Sequence, residues 1–218
     1  GVSSARNAGI MAASGKYITF PDSDDKLDKN VFEKCLLFFE EHQNEISYVA
    51  YPHIFFEGAT GRHWTGYRFD KGTRIVDLLE EYNQPQYFTN ACFFKTDDIK
   101  GKIEFDTNLI NGEDTVFAND VVFGGSHKIG LVSDCIYWYR RRTAGELSAI
   151  QESKKTEKYY LPYCTDVLGR LIDSAERKYG YVPRYIQYTV MGQIQWRLRS
   201  DPDGSIAKSV VGENGFIA

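Results

Sequence analysis

No apolar run in the 218 residues approaches the roughly 20 needed to cross a bilayer as a helix. No segment of signal-peptide character precedes the first motif. A secreted or membrane-spanning protein is therefore not expected, and the expectation is a cytoplasmic one. Cysteine and histidine are both scarce, at four residues each. Cys35, Cys92, Cys135 and Cys164 include no C-x-x-C pair, and His42, His53, His63 and His127 form no ligand cluster. Disulfide frameworks and zinc sites need tighter spacing, so these read as reduced, mostly buried thiols. No local signature marks a catalytic Cys–His pair. Basic residues do not exceed acidic ones, 26 against 30, for a net charge of −4. That balance excludes a dedicated nucleic-acid binder. Internal repeats and low-complexity segments are absent.

What is abundant is aromatic: 15 Tyr and 14 Phe, so bulky rings should dominate the core. Hydrophobic residues at 42% and charged residues at 26% are ordinary for a globular protein. The length exceeds one average domain and falls short of two, which suggests a domain with an appendage. Charge divides the same way. Residues 1–136 carry a net −8, residues 137–200 a net +6, and the tail −2. The expected organisation is a site-bearing domain over 1–150, a helical extension over 151–200 and a tail over 201–218.

Ser3 or Ser4 can cap a first helix with a small face of Ala5, Ala8, Gly9 and Ala12, stopped by Gly15. Tyr17–Phe20 reads as a short buried strand ending at Pro21, and Asp28 as the cap of a helix carrying Phe32, Cys35, Leu36 and Phe39. A strand is expected over 46–56, followed by a turn at 58–61, so that 51–56 and 62–69 could pair as a hairpin. Thr73 can cap a helix through Ile75, Val76, Leu78 and Leu79. Residues 91–94 look like a strand, 111–123 like a helix and 129–139 like a strand. The order implies a layered α/β sheet covered by helices. Residues 153–199 are helical and basic, with a break near 180–183.

The sharpest chemical feature is Asp22-Ser23-Asp24-Asp25, directly after an apolar strand. Open α/β sheets bind ligands at such strand ends. Like charges so close repel unless a cation compensates them, and hard oxygen donors suit magnesium or manganese. The plainer reading is a solvated turn leading into the next helix. Around this turn, the first 28 residues resemble family 2 nucleotide-sugar glycosyltransferases, which have the GT-A fold. The matching stretch is G-V-S-S-A-R-N-A-G followed by A-S-G-K-Y-I-T-F-P-D-S-D-D, without a gap. Pro21 replaces the usual aliphatic residue. The resemblance implies that Arg6 and Asn7 line the donor site, and that Asp22, Asp24 and Asp25 bind Mg2+ or Mn2+ and the sugar diphosphate.

Two later stretches fit in the family's order. Asn111-Gly112-Glu113-Asp114 resembles its E-D motif at a helix start, where Asp114 would be the general base. Glu113 is the rival and would point elsewhere. Acidic residues in a first helical turn also complement the macrodipole. Tyr137-Trp138-Tyr139-Arg140-Arg141-Arg142, with Ser148 beyond, resembles the Y-x-Y-R-x-R segment that closes over the diphosphate, which assigns Arg140 and Arg142 to the donor. The alternative is a solvated strand end. Phe105-Asp106 and Asn90 fit more weakly, and the resemblance spans roughly residues 1–150. Family members begin with a βαβ-rich half that binds the nucleoside, so the expectation is a GT-A-like mixed sheet lacking that half and inactive by itself.

The implied activity is inverting transfer of a sugar from a nucleotide-diphosphate donor to a hydroxyl of a cell-surface glycan, free or lipid-linked. The rivals are a metal-dependent phosphohydrolase or nucleotidyltransferase, and a non-catalytic glycan- or partner-binding fragment. Trp196, Arg197 and Arg199 suggest peripheral contact with an anionic inner membrane face. A helical hairpin packed on the core is the favoured account of the same segment, which also looks like helical extensions on capsule and teichoic-acid transferases.

Overall fold

The computed structural model describes residues 1–142, 156 and 159–200. Ser148, the expected start of the helical extension and the tail 201–218 lie outside the described residues. Helix α1 (Val2–Ala12) takes Gly1 as its N-cap, with Ser3 and Ser4 inside the helix rather than capping it. It stops at Ala13, whose backbone is extended, two residues before the expected glycine. Strand β1 (Tyr17–Ile18) follows. After the acidic turn comes a strand that the sequence reading missed, β2 (Lys26–Leu27). Helix α2 (Val31–His42) is capped from Asn30. The Asp28 carboxylate is engaged elsewhere, accepting the Trp138 Nε1–H at 2.8 Å.

The run 46–56 is not one strand. Pro52 has no N–H for a ladder, and the chain divides there into β3 (Tyr48–Ala50) and β4 (His53–Glu57). The expected hairpin survives only at its tip, where β5 (Gly61–Arg62) pairs with β4 and residues Trp64–Phe69 form a 3-10 helix. The helix expected after Thr73 is instead β6 (Arg74–Asp77). Strand β7 (Cys92–Lys95), a single turn α3 (Thr96–Ile99) and helix α4 (Glu113–Gly124) follow. The run 129–139 also divides, into β8 (Lys128–Leu131) and β9 (Tyr137–Arg141).

These two breaks organise the molecule. β3 runs parallel to β8, and β4 runs parallel to β9, so one strand pair leaves a first sheet and enters a second. The first sheet has the order β1-β7-β3-β8-β6 and the second β2-β9-β4-β5. The crossing is closed by Val132 N–H to the Ala50 carbonyl and Tyr137 N–H to the Pro52 carbonyl, both at 2.9 Å. Between α1, the first sheet and α4 the core is aromatic as expected. Phe105 stacks on Phe117 with centroids 4.0 Å apart, and Phe20 meets both edge-on. Each ring fully removed from water contributes about 1.5–3 kcal/mol.

The C-terminal segment is a helical hairpin on this core. α5 (Leu161–Tyr163) continues through a π-helical stretch (Cys164–Gly169) into α6 (Arg170–Tyr179), and Gly180 at φ 76° turns the chain into α7 (Arg184–Ser200). Leu171, Ala175, Tyr185 and Ile186 join the main core cluster. Arg197, one of the three residues that suggested a membrane face, is not exposed. It is buried, its Nε–H donates to the Tyr159 carbonyl at 2.9 Å, and its guanidinium lies 3.3 Å from the Tyr163 ring centre. Among the described residues no helix is long and apolar enough to cross a membrane. Cys35, Cys92 and Cys135 are buried free thiols, as expected, and Cys164 is half-buried.

Candidate active site

Helix α1 presents Arg6 to three carboxylates that lie far apart in sequence. Its Nη1–H donates to Asp114 Oδ1 at 2.6 Å and to Glu113 Oε1 at 3.3 Å, and its Nη2–H to Asp22 Oδ1 at 3.3 Å. The guanidinium also lies over the Phe105 ring, 5.1 Å from its centre, which fixes its plane. The neighbouring Asn7 is anchored on Phe105, the residue whose ring lies under Arg6. Its amide clamps the Phe105 backbone at both ends, donating to the carbonyl and accepting from the N–H, each at 2.8 Å. Asn7 also lines an open cleft of about 570 Å³ floored by residues 101–107, with Asp120 and Arg170 opposite.

Asp114 stands in the first turn of α4, which begins after Gly112 at φ 84°. A side chain at 112 would collide with Tyr163 and Val167, so glycine lets the C-terminal hairpin close on this helix start. Two pulls act on the Asp114 carboxyl. Burial disfavours its charged form, while Arg6 and a hydrogen bond from Thr89 favour it; burial wins, and the pKa rises to about 7. Burial likewise raises Glu113. The expectation that Glu113 would point elsewhere is corrected here, since both side chains reach the same Arg6 nitrogen.

The acidic turn and the arginine segment meet because β2 and β9 pair antiparallel, with Lys26 opposite Trp138 and Leu27 opposite Tyr137. That register draws the end of β9 alongside residues 22–25. Asp25 Oδ1 accepts the Arg140 N–H at 2.7 Å, and Arg142 pairs with Asp24 at 3.1 Å. The Tyr137 hydroxyl accepts the Asp22 N–H at 2.9 Å. The Arg140 guanidinium turns aside to Glu57, a non-glycine residue at φ 68°. Beside it Gly58 packs so closely on the Arg141 and Arg142 carbonyls that a Cβ could not fit.

Asp22, Asp24 and Asp25 are thus neighbours whose carboxylates face different partners. Among the described residues no three His, Cys, Asp or Glu side chains stand ready to hold a metal ion. The donor atoms are nonetheless all hard oxygens, and Asp25 Oδ2 is buried without a hydrogen-bond partner. Burial raises the Asp25 pKa accordingly. Magnesium is commonly bound by one or two carboxylates together with substrate phosphates rather than by an all-protein cage. The residues fit a cation of that kind.

Three further polar residues complete the cluster. Thr89 donates its hydroxyl to Asp114 Oδ1 at 2.8 Å. Asn90 donates its amide to Asp22 Oδ2 at 3.1 Å, and its Oδ1 lies 2.9 Å from His53 Nε2. Burial holds the His53 pKa down at about 4, so the ring is neutral near pH 7. The sequence pointed to Asn90 only weakly and to Thr89 and His53 not at all. A polar dipeptide entering an apolar strand was the available signal.

Residues 1–100 match the family model described as Glycosyl transferase family 2. The chain is 39% identical over 201 residues to the minor teichoic acid biosynthesis protein GgaB of Bacillus subtilis (strain 168), covering 91% of this chain and 22% of that protein. It is 28% identical over 200 residues to GgaA of the same organism, covering 89% of this chain and 44% of that protein. The chain therefore spans less than half the length of either curated relative. The crystal structure of S. aureus TarS 1-349 in complex with UDP-GlcNAc superposes with a TM-score of 0.63 at 18% identity, covering 91% of this chain and 54% of that one. This likeness shows the fold, the mixed α/β arrangement expected as GT-A. Residues 1–100 are thus a Glycosyl transferase family 2 domain.

Proposed function

We propose that this chain carries the catalytic residues of an inverting glycosyltransferase. It moves a sugar from a nucleoside-diphosphate donor to a hydroxyl of a cell-surface glycan, free or lipid-linked. One observation carries the reading. A single guanidinium, Arg6, ties the helix-start carboxylate Asp114 to the acidic-turn carboxylate Asp22. A proton acceptor and a diphosphate-facing turn are thereby held side by side.

Both anchors of Asp114 bind Oδ1, from Arg6 and from Thr89, which leaves Oδ2 outside these contacts. Oδ2 takes the proton of the acceptor hydroxyl, and a pKa near 7 suits a base working near neutral pH. The acceptor oxygen then bonds to the anomeric carbon from the face opposite the diphosphate, and the bond from that carbon to the diphosphate oxygen breaks. Asp22, Asp24 and Asp25 are the residues that would hold Mg2+ or Mn2+ with the donor. A cation there would neutralise charge on the departing diphosphate. Arg142, released from Asp24, supplies charge-assisted hydrogen bonds to phosphate oxygens.

The test is transfer by the complete protein, read as acceptor-dependent release of nucleoside diphosphate. Asp114→Asn keeps size and hydrogen bonding but cannot take the proton. Turnover should fall by about 10²–10⁴-fold with donor affinity nearly unchanged. Transfer at the unmodified rate would remove Asp114 from the role of base.

A further inference from the structure

The carboxylates of the site are held by groups on the first sheet as well as by Arg6. Thr89 and Asn90 are consecutive, lead into β7 and are buried, at 0% and 4% exposure. Thr89 donates to Asp114 and Asn90 to Asp22, so adjacent residues reach the two acids that Arg6 also reaches. The result is a closed ring of four polar contacts and one peptide bond: Asp22, Arg6, Asp114, Thr89, Asn90 and back to Asp22.

Each member of the dipeptide can act in only one sense. A threonine hydroxyl that gives its proton to Asp114 Oδ1 fixes which carboxylate oxygen remains for the acceptor. Asn90 is fixed from behind. Its amide nitrogen must face Asp22, because a carboxylate only accepts, so its oxygen must face His53. His53 Nε2 therefore carries the proton and donates it to Asn90 Oδ1. The histidine sits on β4, in the second sheet, with its ring packed against Phe88 and Tyr137 at 5.0 and 5.1 Å. A buried amide with both ends satisfied holds one orientation, because flipping it would leave two buried polar groups unpaired.

From this geometry, and resting on the transferase reading above, we infer that Thr89 and Asn90 are positioning residues with separate duties. Thr89 aims the base Asp114. Asn90, locked by His53, aims the donor-facing carboxylate Asp22. The pair couples the two half-sites through a single peptide unit, so an error in the entry to β7 misplaces both.

Separate duties predict separate kinetic signatures, which a general loss of packing would not produce. Thr89→Val keeps the shape and removes the hydroxyl. It should lower kcat about tenfold with donor KM changed less than about twofold, and Thr89→Ser should restore kcat. Asn90→Ala should weaken binding of manganese plus nucleoside diphosphate about tenfold in calorimetry, with a smaller change in kcat. His53→Phe preserves the ring contacts but cannot orient Asn90, and should give a milder form of the same loss. Combined with Asn90→Ala it should add nothing, because the two act in series. His53→Phe alone carries this arm if Asn90→Ala does not fold.

Asp114→Asn and Asp22→Ala serve as references in the same assays. If they are without effect, the transferase reading fails. If they act while Thr89→Val and Asn90→Ala both lower kcat and affinity in parallel with melting temperature, the positioning assignment is overturned and the dipeptide is packing alone.

Discussion

Replacing Arg6 with methionine should move the pH dependence of transfer rather than abolish it. The substitution keeps a long unbranched side chain over Phe105 and removes the positive charge shared by Asp22, Glu113 and Asp114. With charge centres about 4 Å apart and an effective dielectric of about 20, the lost attraction is about 4 kcal/mol at most. In a half-open site water recovers part of it, and an arginine beside an aspartate commonly lowers its pKa by about 1–3. With about 1–2 of that range left after screening, Asp114, at about 7 with Arg6 present, should then titrate between about 8 and 9. At pH 7 its ionised fraction drops from about half to about 1–10%, so the rate should fall about 5–50-fold and recover as the pH approaches about 9. Initial rates at saturating donor across the pH range measure this directly. Arg6→Lys is the companion variant: it keeps the charge but cannot fork between Asp22 and Asp114. Its acid limb should stay near that of the unmodified protein while donor KM rises. A loss of equal size at every pH in Arg6→Met would refute the electrostatic reasoning and leave Arg6 a structural strut.

Manganese with a nucleoside diphosphate should bind the unmodified protein, and Asp24→Ala should abolish the metal requirement of that binding; calorimetry that finds manganese binding equally well without the nucleotide would contradict a cation held jointly with phosphate. Arg197→Ala removes a hydrogen bond to the Tyr159 carbonyl and a stack on Tyr163, and should cost about 2–4 kcal/mol, or about 4–16 °C in Tm. A shift below about 1 °C would mean the arginine is a surface charge after all. Because burial raises the Asp114 pKa, the folded state binds its proton more tightly than the unfolded chain does. Stability to urea should therefore decline as pH rises from about 4 through about 7, and this slope should be shallower in Asp114→Asn, where Glu113 and Asp25 still contribute.

The acidic turn, Arg6 and the Glu113-Asp114 pair were legible because each lies in a short contiguous pattern. What a local pattern does not carry is the partner. Asp28 was read as a helix cap because it precedes an apolar-periodic run, whereas the carboxylate is taken by Trp138, 110 residues away. Residues 74–77 were read as helix from their apolar content. Ile75 and Val76 are β-branched, and pairing with β8, Ile75 opposite Gly130 and Val76 opposite Ile129, decided for strand. Arg197 looked like a membrane-facing charge in a basic segment, yet its planar guanidinium matched two tyrosine faces. Thr89 carries no motif and Asn90 only a weak one; they matter through where β7 begins.

The two misread long strands have a shared physical cause, and the site depends on it. A run such as 46–56 is apolar throughout and has the look of one buried strand, but Pro52 withholds a ladder hydrogen bond and lets the chain change sheets. Its neighbour changes sheets alongside it, and only then can β9 reach β2 and bring Arg142 to Asp24. Had both runs continued straight, the arginine segment would extend the first sheet and Asp24 would lack its arginine partner. The arrangement gathers three carboxylates around the single positive charge of Arg6 in a half-buried setting. Burial first, and the neighbouring carboxylates second, raise the Asp114 pKa, and functional sites commonly sacrifice stability in this way. The excess negative charge is also what a cation bound with the donor would relieve, so the feature that weakens the fold is the one that suits the proposed chemistry.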